Sequence, residues 1–190
     1  MSKQTLLNGK VPGTKELLAL LDSKEILRGR TPFTTLLICG GKIPFWKQHF
    51  ERLQASFSFL HNDLDFSSFE KKLEQARKVG LKEKTKLSSM RLTMIRSKDQ
   101  VDLLTQIEEY SNLDLNSIKL RTCLHPLRSS SLPRYLKNGN YLEISLEVKK
   151  ARELELDDCL FLDREGHAAE CSTSNIFFRK GSRFFTPSLE

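Results

Sequence analysis

The sequence has few of the residues that build cross-linked or metal-held scaffolds. It contains four cysteines, six prolines and nine glycines in 190 residues. None of the cysteines stands in a CxxC or Cys/His spacing, so neither a zinc site nor a disulfide framework is indicated. The absence of internal repeats and low-complexity tracts also argues against a fibrous protein.

Long apolar stretches are missing as well. No run approaches the ~20 residues that a membrane-spanning helix needs, and the N-terminal MSKQTLLNGKVPG lacks the apolar segment of a signal peptide. We therefore expect a soluble cytoplasmic protein with no membrane contact. With 38% hydrophobic and 29% charged residues, the chain can bury a core in one domain or two small ones.

The net charge of +7 is unevenly distributed, because residues 136–190 contain 8 basic and 10 acidic groups. A basic first part could attract nucleic acid or anionic metabolites, or it could be a lysine-rich solvated face. No DNA- or RNA-binding motif accompanies the charge, so we expect no nucleic-acid partner.

Hydrophobic periodicity predicts a small α+β domain over residues 1–122. The spacing of Phe50, Leu53, Phe57 and Leu60 predicts a helix with one buried face. The other predicted elements are helices in KELLALLDSKEILRG and over 69–79, a strand at 33–39 that pairs through Gly40-Gly41 with 42–46, and strands SMRLTMIR and IKLRTCL.

A proline- and serine-rich stretch, HPLRSSSLPR, interrupts this pattern and predicts an interdomain linker over 123–135. Residues 136–190 would then be the first part of a second domain. There we predict a helix over 140–155, followed by short strands in CLFLD, HAAECS and NIFF and a fourth in RFF.

Lys137 is the first residue that could carry chemistry, because it precedes the predicted helix, whose positive N-terminal dipole disfavours a cation. If buried there, its amine would lose its proton and could form a Schiff base with an aldehyde. A lysine that merely points into water fits the same sequence.

Two further positions admit both a functional and a plain interpretation. Glu170 opens the polar run ECSTSN between apolar strands; it belongs either to a loop or to a ligand site, where a buried carboxylate needs a cation or several donors. Arg52 lies at the border of an apolar helix face, where it either reaches solvent or directs its planar fork at a phosphate.

The ordered set of segments resembles the class IV aminotransferases, the fold-type IV pyridoxal-phosphate enzymes. GRTPFTTLLICGGKIPFWKQHFERL is similar to the family's strand, hairpin and HxxRL helix, MRLTMIR to its central strand, and KNGNYL followed by ECSTSNIFF to its large-domain core. The family includes branched-chain and D-amino-acid aminotransferases and aminodeoxychorismate lyase. The resemblance implies an α+β two-domain fold and a homodimer.

The resemblance also implies the roles of individual residues. Lys137 would bind pyridoxal 5'-phosphate as a Schiff base, Glu170 would contact the pyridine nitrogen, and Arg52 would hold the phosphate. Tyr141 would either bond the phenolic oxygen or pack in the core. Independently of the resemblance, Arg91 on the predicted strand could meet a substrate carboxylate, but it could equally face solvent, as most arginines do.

The implied activity is transfer of an amino group from an amino acid to a 2-oxo acid, with aminodeoxychorismate lyase as the alternative. The sequence departs from the family in two places. Gly29–Thr35 lacks the acidic residues of the usual GDGxFET, and relatives continue well beyond the position of Thr186-Pro187, so the second domain is expected to be incomplete. A shortened, non-catalytic homologue is therefore a third interpretation.

Overall fold

The computed structural model describes residues 3–83, 87–109, 117–123 and 136–188. These residues form two compact units. The first unit contains the described residues up to 109 together with 136–139, and the second contains 117–123 and 140–188. Of the predicted linker 123–135, only Cys123 lies within the described residues.

The first unit is built on an antiparallel sheet in the order β1-β4-β3-β2. Its strands are β1 (Lys3–Leu7), β2 (Phe33–Cys39), β3 (Leu87–Ser97) and β4 (Gln100–Glu109). The predicted strands at 33–39 and 89–96 are confirmed. The predicted hairpin partner at 42–46 is wrong, because β2 pairs with β3 and a single bridge joins Cys39 to Lys42. Strand β4 was not predicted.

Four helices accompany this sheet: α1 (Thr14–Leu21), α2 (Lys24–Leu27), α3 (Trp46–Leu60) and α4 (Phe66–Lys82). The predicted helices at 50–60 and 69–79 are confirmed as parts of α3 and α4. The leucine-rich helical segment near the N-terminus is two helices rather than one, and neither contains a buried residue. Helix α4 begins where the Asp65 carboxylate accepts a hydrogen bond from the Ser67 amide at 3.0 Å, which satisfies one open donor of the helix.

The core of the first unit lies between the sheet and the pair α3 and α4. Alternation in β2 sends Thr34, Leu36 and Ile38 to the buried face. Phe57 of α3 stacks on Phe69 of α4 with ring centroids 5.4 Å apart. Burial of each such side chain stabilises the fold by roughly 1.5–3 kcal/mol, which fixes α3 on the sheet.

The second unit contains helix α5 (Leu142–Glu153) and the sheet β5-β6-β7, together with a separate hairpin. Its strands are β5 (Leu120–Cys123), β6 (Asp158–Leu162), β7 (Ala168–Cys171), β8 (Phe178–Lys180) and β9 (Arg183–Phe185). Strand β5 runs parallel to β6, and β7 runs antiparallel to it. The predicted helix at 140–155 is confirmed with shorter bounds.

Helix α5 packs on this sheet through a small apolar cluster. Ala151 is fully buried against Cys123, Cys159 and Phe161. Within the described ranges, no helix is both long enough and apolar enough to cross a bilayer.

Candidate functional site

Helix α3 carries the candidate residue Arg52 on the same face as His49. His49 and Arg52 are three residues apart, a spacing that makes them neighbours along the helix surface. The helix starts after Phe45, which has a left-handed φ of 57° and makes no side-chain capping hydrogen bond. Leu53 is buried in the core, so the border position of Arg52 is fixed by the packing of the residue that follows it.

Lys137 belongs to an extended segment of the first unit, not to a helix. Its carbonyl oxygen accepts a hydrogen bond from the Phe33 amide at 2.8 Å, which fastens the segment to the start of β2. The prediction that Lys137 lies at a helix N-terminus is wrong, because α5 begins only at Leu142. The dipole argument for a neutral amine therefore does not apply to Lys137.

The backbone beside Lys137 makes a close approach that requires a glycine. A Cβ atom added to Gly139 would lie 2.9 Å from Oγ1 of Thr31, which is closer than two such atoms normally approach. Thr31 lies just before β2 and is buried. The path of the chain next to the candidate amine therefore depends on the missing side chain of Gly139.

His49 is the polar centre of this region. Its Nδ1 lies 2.6 Å from the Oγ1 atom of Thr34, whose side chain is completely buried. Burial, followed by the positive charges of Arg52 and Lys137, lowers the pKa of His49 to about 4. The structure thus brings Arg52 and Lys137 into the surroundings of one neutral imidazole.

Arg91 and Lys137 also share a neighbour in the first unit. The Cζ atom of Arg91 lies 3.5 Å from the centroid of the Phe33 ring, and Nζ of Lys137 lies 5.3 Å from the same centroid. Cations are attracted to the negative face of an aromatic ring. Three of the predicted site residues, Lys137, Arg52 and Arg91, are therefore grouped around His49 and Phe33.

Glu170 and Tyr141 lie in the second unit. Glu170 is exposed on β7, opposite Phe161 of β6. Tyr141 is half-buried at the N-cap of α5. The structure does not bring either of them together with Lys137 within one unit.

A cavity of about 740 Å³ adjoins Tyr141 in the second unit. Ser172 and Thr173, from the predicted polar run, line the same cavity. The run leaves the sheet after Cys171, whose amide donates a hydrogen bond to the Ser174 carbonyl at 2.9 Å. This backbone hydrogen bond closes the turn that contains Ser172 and Thr173.

Sequence analysis did not identify Thr34 as a partner of His49. One signal was available, since alternation in 33–39 places Thr34 on the buried face of the strand, and a buried hydroxyl needs a partner. Which partner it finds depends on how α3 crosses the sheet, and the order of residues does not contain that information.

Comparison with known proteins relates most of the chain to one family. The sequence model of the amino-transferase class IV family matches residues 31–190. The "Probable branched-chain-amino-acid aminotransferase" of Rickettsia typhi is 54% identical over 58 residues. That match covers 30% of this chain and only 20% of the relative.

Two solved structures resemble the chain over most of its length. The pyridoxal-phosphate-bound form of a hypothetical aminotransferase from Mycobacterium tuberculosis has a TM-score of 0.79 at 16% identity, covering 98% of this chain and 71% of that one. A candidate 4-amino-4-deoxychorismate lyase has a TM-score of 0.62 at 26% identity, covering 83% of this chain and 64% of that one.

Proposed function

Because the chain belongs to the class IV aminotransferase family, we propose that it transfers an amino group between an amino acid and a 2-oxo acid with pyridoxal phosphate bound at Lys137. The observation that carries the proposal is the grouping of Lys137 and Arg52 beside β2. The Lys137 carbonyl accepts a hydrogen bond from the Phe33 amide, and His49, three residues before Arg52, bonds the Thr34 hydroxyl. A primary amine and a guanidinium in the same surroundings match two groups of pyridoxal phosphate. The amine can react with its aldehyde, and the guanidinium can bind its phosphate.

The residues of the first unit fit the cofactor by the chemistry of their donors. Lys137 would hold the aldehyde carbon through its amine. Arg52 would bind the phosphate through the parallel N–H groups of its planar fork. The neutral ring of His49 adds a hydrogen-bonding group without adding a third positive charge.

Glu170 and Tyr141 are the residues proposed to contact the ring of the cofactor. Glu170 would keep the pyridine nitrogen protonated through its carboxylate, and Tyr141 would donate its hydroxyl to the phenolic oxygen. Both assignments rest on the family motif that these residues match, and the exposed carboxylate of Glu170 is accessible to a ligand.

When bound, pyridoxal phosphate supplies a ring that withdraws electrons from the substrate Cα. The free amine of Lys137 would take the proton from that Cα as a general base. Arg91, beside Phe33, would orient the substrate by binding its carboxylate. We further propose that the protein acts in the cytoplasm as a homodimer.

Aminodeoxychorismate lyase activity is the second candidate function. The structure of a candidate lyase matches 83% of this chain at 26% identity. Both activities would use the Lys137 amine in the same way, so the first experiment addresses what they share.

Reductive labelling tests the attachment of the cofactor. The purified chain is incubated with pyridoxal phosphate, reduced with borohydride, digested and examined by mass spectrometry. We expect a pyridoxyl-phosphate label on the peptide that contains Lys137. The label should be lost in Lys137→Ala and kept in Lys47→Ala, because Lys47 is an exposed lysine of the same unit. Equal labelling of several lysines in the wild type would contradict the proposal.

Substrate trials then separate the candidate functions. Conversion of the bound cofactor to its amine form by D-alanine, L-leucine or L-glutamate would identify the aminotransferase and its donor. Release of 4-aminobenzoate from aminodeoxychorismate would identify the lyase. A chain that is labelled at Lys137 but performs neither reaction would match the non-catalytic interpretation.

A further inference from the structure

The first turn of α3 is tied to the sheet by one buried hydrogen bond. The Thr34 hydroxyl of β2 and Nδ1 of His49 lie 2.6 Å apart. No side chain caps the start of this helix, so the first turn has no capping bond to hold it. A hydrogen bond with a completely buried partner fixes position strongly, because breaking it leaves a buried polar group unsatisfied.

This bond also bears on the orientation of Arg52. Residues three apart on a helix share a face, so holding the imidazole of His49 fixes the rotation of α3 that presents Arg52. Arg52 lies three residues from His49 along the helix, and the Lys137 carbonyl accepts a hydrogen bond from the amide of Phe33, the residue before Thr34. Burial, followed by the charges of Arg52 and Lys137, lowers the pKa of His49. At neutral pH, the ring is therefore uncharged and its Nδ1 is committed to Thr34.

We propose that Thr34 and His49 are a positioning pair that holds Arg52 in place for the phosphate group of the cofactor. The inference rests on the proposed function. Neither residue contacts the reacting atoms; the Thr34 hydroxyl orients His49, and His49 holds the first turn of the helix that carries the guanidinium. Thr34 belongs to this chain's GRTPFTT segment.

The pair would affect how tightly the phosphate group of the cofactor is bound, and it would not affect binding of the aldehyde group. Pyridoxal has the same aldehyde as pyridoxal phosphate and lacks the phosphate. The ratio of the two dissociation constants therefore isolates the contribution of Arg52, and a general loss of folding would not change that ratio selectively.

Spectroscopic titration of the full chain with each compound tests the proposal. In Thr34→Val, which removes the hydroxyl at nearly constant volume, we expect the dissociation constant for pyridoxal phosphate to rise about three- to tenfold, the loss of one hydrogen bond. The constant for pyridoxal should not change. Thr34→Ser restores the hydroxyl and should restore the wild-type ratio.

A matched control is available on the same sheet. Thr105 of β4 is also buried, and its Oγ1 has no hydrogen-bond partner among the described residues. Thr105→Val should leave both dissociation constants unchanged. His49→Leu should raise the dissociation constant for pyridoxal phosphate as much as Thr34→Val does. The double variant should bind pyridoxal phosphate no more weakly than either single variant, as expected for residues that act as one unit.

Two failures are distinguishable. If the wild type takes up pyridoxal phosphate at Lys137 but Thr34→Val leaves the ratio unchanged, or if Thr34→Ser does not restore it, the positioning pair is wrong and the proposed function stands. If the wild type takes up neither compound, the proposed function fails and the positioning pair fails with it.

Discussion

The Cζ atom of Arg91 lies 3.5 Å from the centroid of the Phe33 ring. Phe33 is almost completely buried and its amide bonds the Lys137 carbonyl. One aromatic residue therefore orients the guanidinium through its ring and anchors the segment of the candidate amine through its backbone. A change at Arg91 should affect the guanidinium alone.

We predict that Arg91→Lys raises the KM for the amino-acid substrate about tenfold, because an ammonium cannot stack or bind a carboxylate with two parallel bonds as a guanidinium does. The affinity for pyridoxal phosphate should stay unchanged. Steady-state kinetics and cofactor titration measure the two effects. Arg77→Lys is the control, since Arg77 lies over the ring of Trp46, also in the first unit. A loss of cofactor affinity at constant KM would contradict the assignment of Arg91.

Gly139→Ala should displace the segment that carries Lys137. The added Cβ would lie 2.9 Å from Oγ1 of Thr31, so the backbone or the threonine has to move. We expect slower reductive labelling at Lys137. Because the close contact is with that single oxygen, Thr31→Ala in the same chain should restore much of the rate. If the double variant labels as slowly as Gly139→Ala, the clash is not the cause.

The burial of His61 predicts that the folded protein loses stability in mild acid. Its side chain is completely buried, and neither ring nitrogen has a hydrogen-bond partner among the described residues. Burial, then the charge of Arg96, lowers its pKa below the ordinary 6.5. The unfolded chain therefore binds a proton more readily than the folded chain below pH 6.5, and stability is present above that pH and falls as the pH decreases.

We expect His61→Phe to flatten this pH dependence, since phenylalanine keeps the edge-to-face contact with Phe57 and cannot take up a proton. Urea unfolding at pH 7 and pH 5 gives the slope for each protein. An unchanged slope in His61→Phe would show that other groups cause the acid sensitivity.

The hydrogen bonds of Glu147 predict that the second unit loses stability separately, at a lower pH. Hydrogen bonds from Lys150 and then Arg121 lower the pKa of its carboxyl from 4.5 to about 2. The stabilisation is present above pH 4.5 and is lost as the pH falls through about 2, because the folded state must then be protonated. Glu147→Gln should lower the Tm at pH 7 by several degrees.

Glu153→Gln is the matched control on the same helix. Glu153 and its partner Lys149 are mostly exposed and their closest atoms are 4.0 Å apart, and such surface pairs contribute little to stability. Scanning calorimetry of the two variants provides the comparison. Equal changes in Tm would show that the contacts of Glu147 add nothing beyond a surface charge.

Regular elements were predictable where one face of the element is buried. The four-residue spacing of Leu53 and Phe57 identified α3 because both side chains enter the core. The strand at 33–39 has alternating burial. Strand β4 was missed because polar residues, Asp102 and Thr105, are buried among its apolar ones, which obscures the apolar pattern on which recognition depends. The family comparisons confirm the predicted fold-type IV architecture.

The grouping of the site residues was only partly predictable. Family motifs marked Lys137 and Arg52 for roles, but the helix-dipole argument for Lys137 was wrong, since that residue lies in an irregular segment that is hydrogen-bonded to Phe33. The link between Thr34 and His49 depends on how a helix crosses a sheet. Hydrophobic spacing identifies which face of a helix is buried and leaves the crossing angle undetermined, so no polar contact across that interface follows from it.

The first unit is assembled from two separated stretches of chain, because residues 136–139 belong with the residues before 110. During translation, residues 136–139, which include Lys137, are therefore the last part of the first unit to leave the ribosome. They emerge about a hundred residues after β2, the strand to which they bond. Domains generally fold as their chain emerges, and here the first unit is complete only after residues 136–139 have emerged. A nascent chain that stalls before residue 136 has made the sheet and both core helices but not the lysine on which turnover would depend.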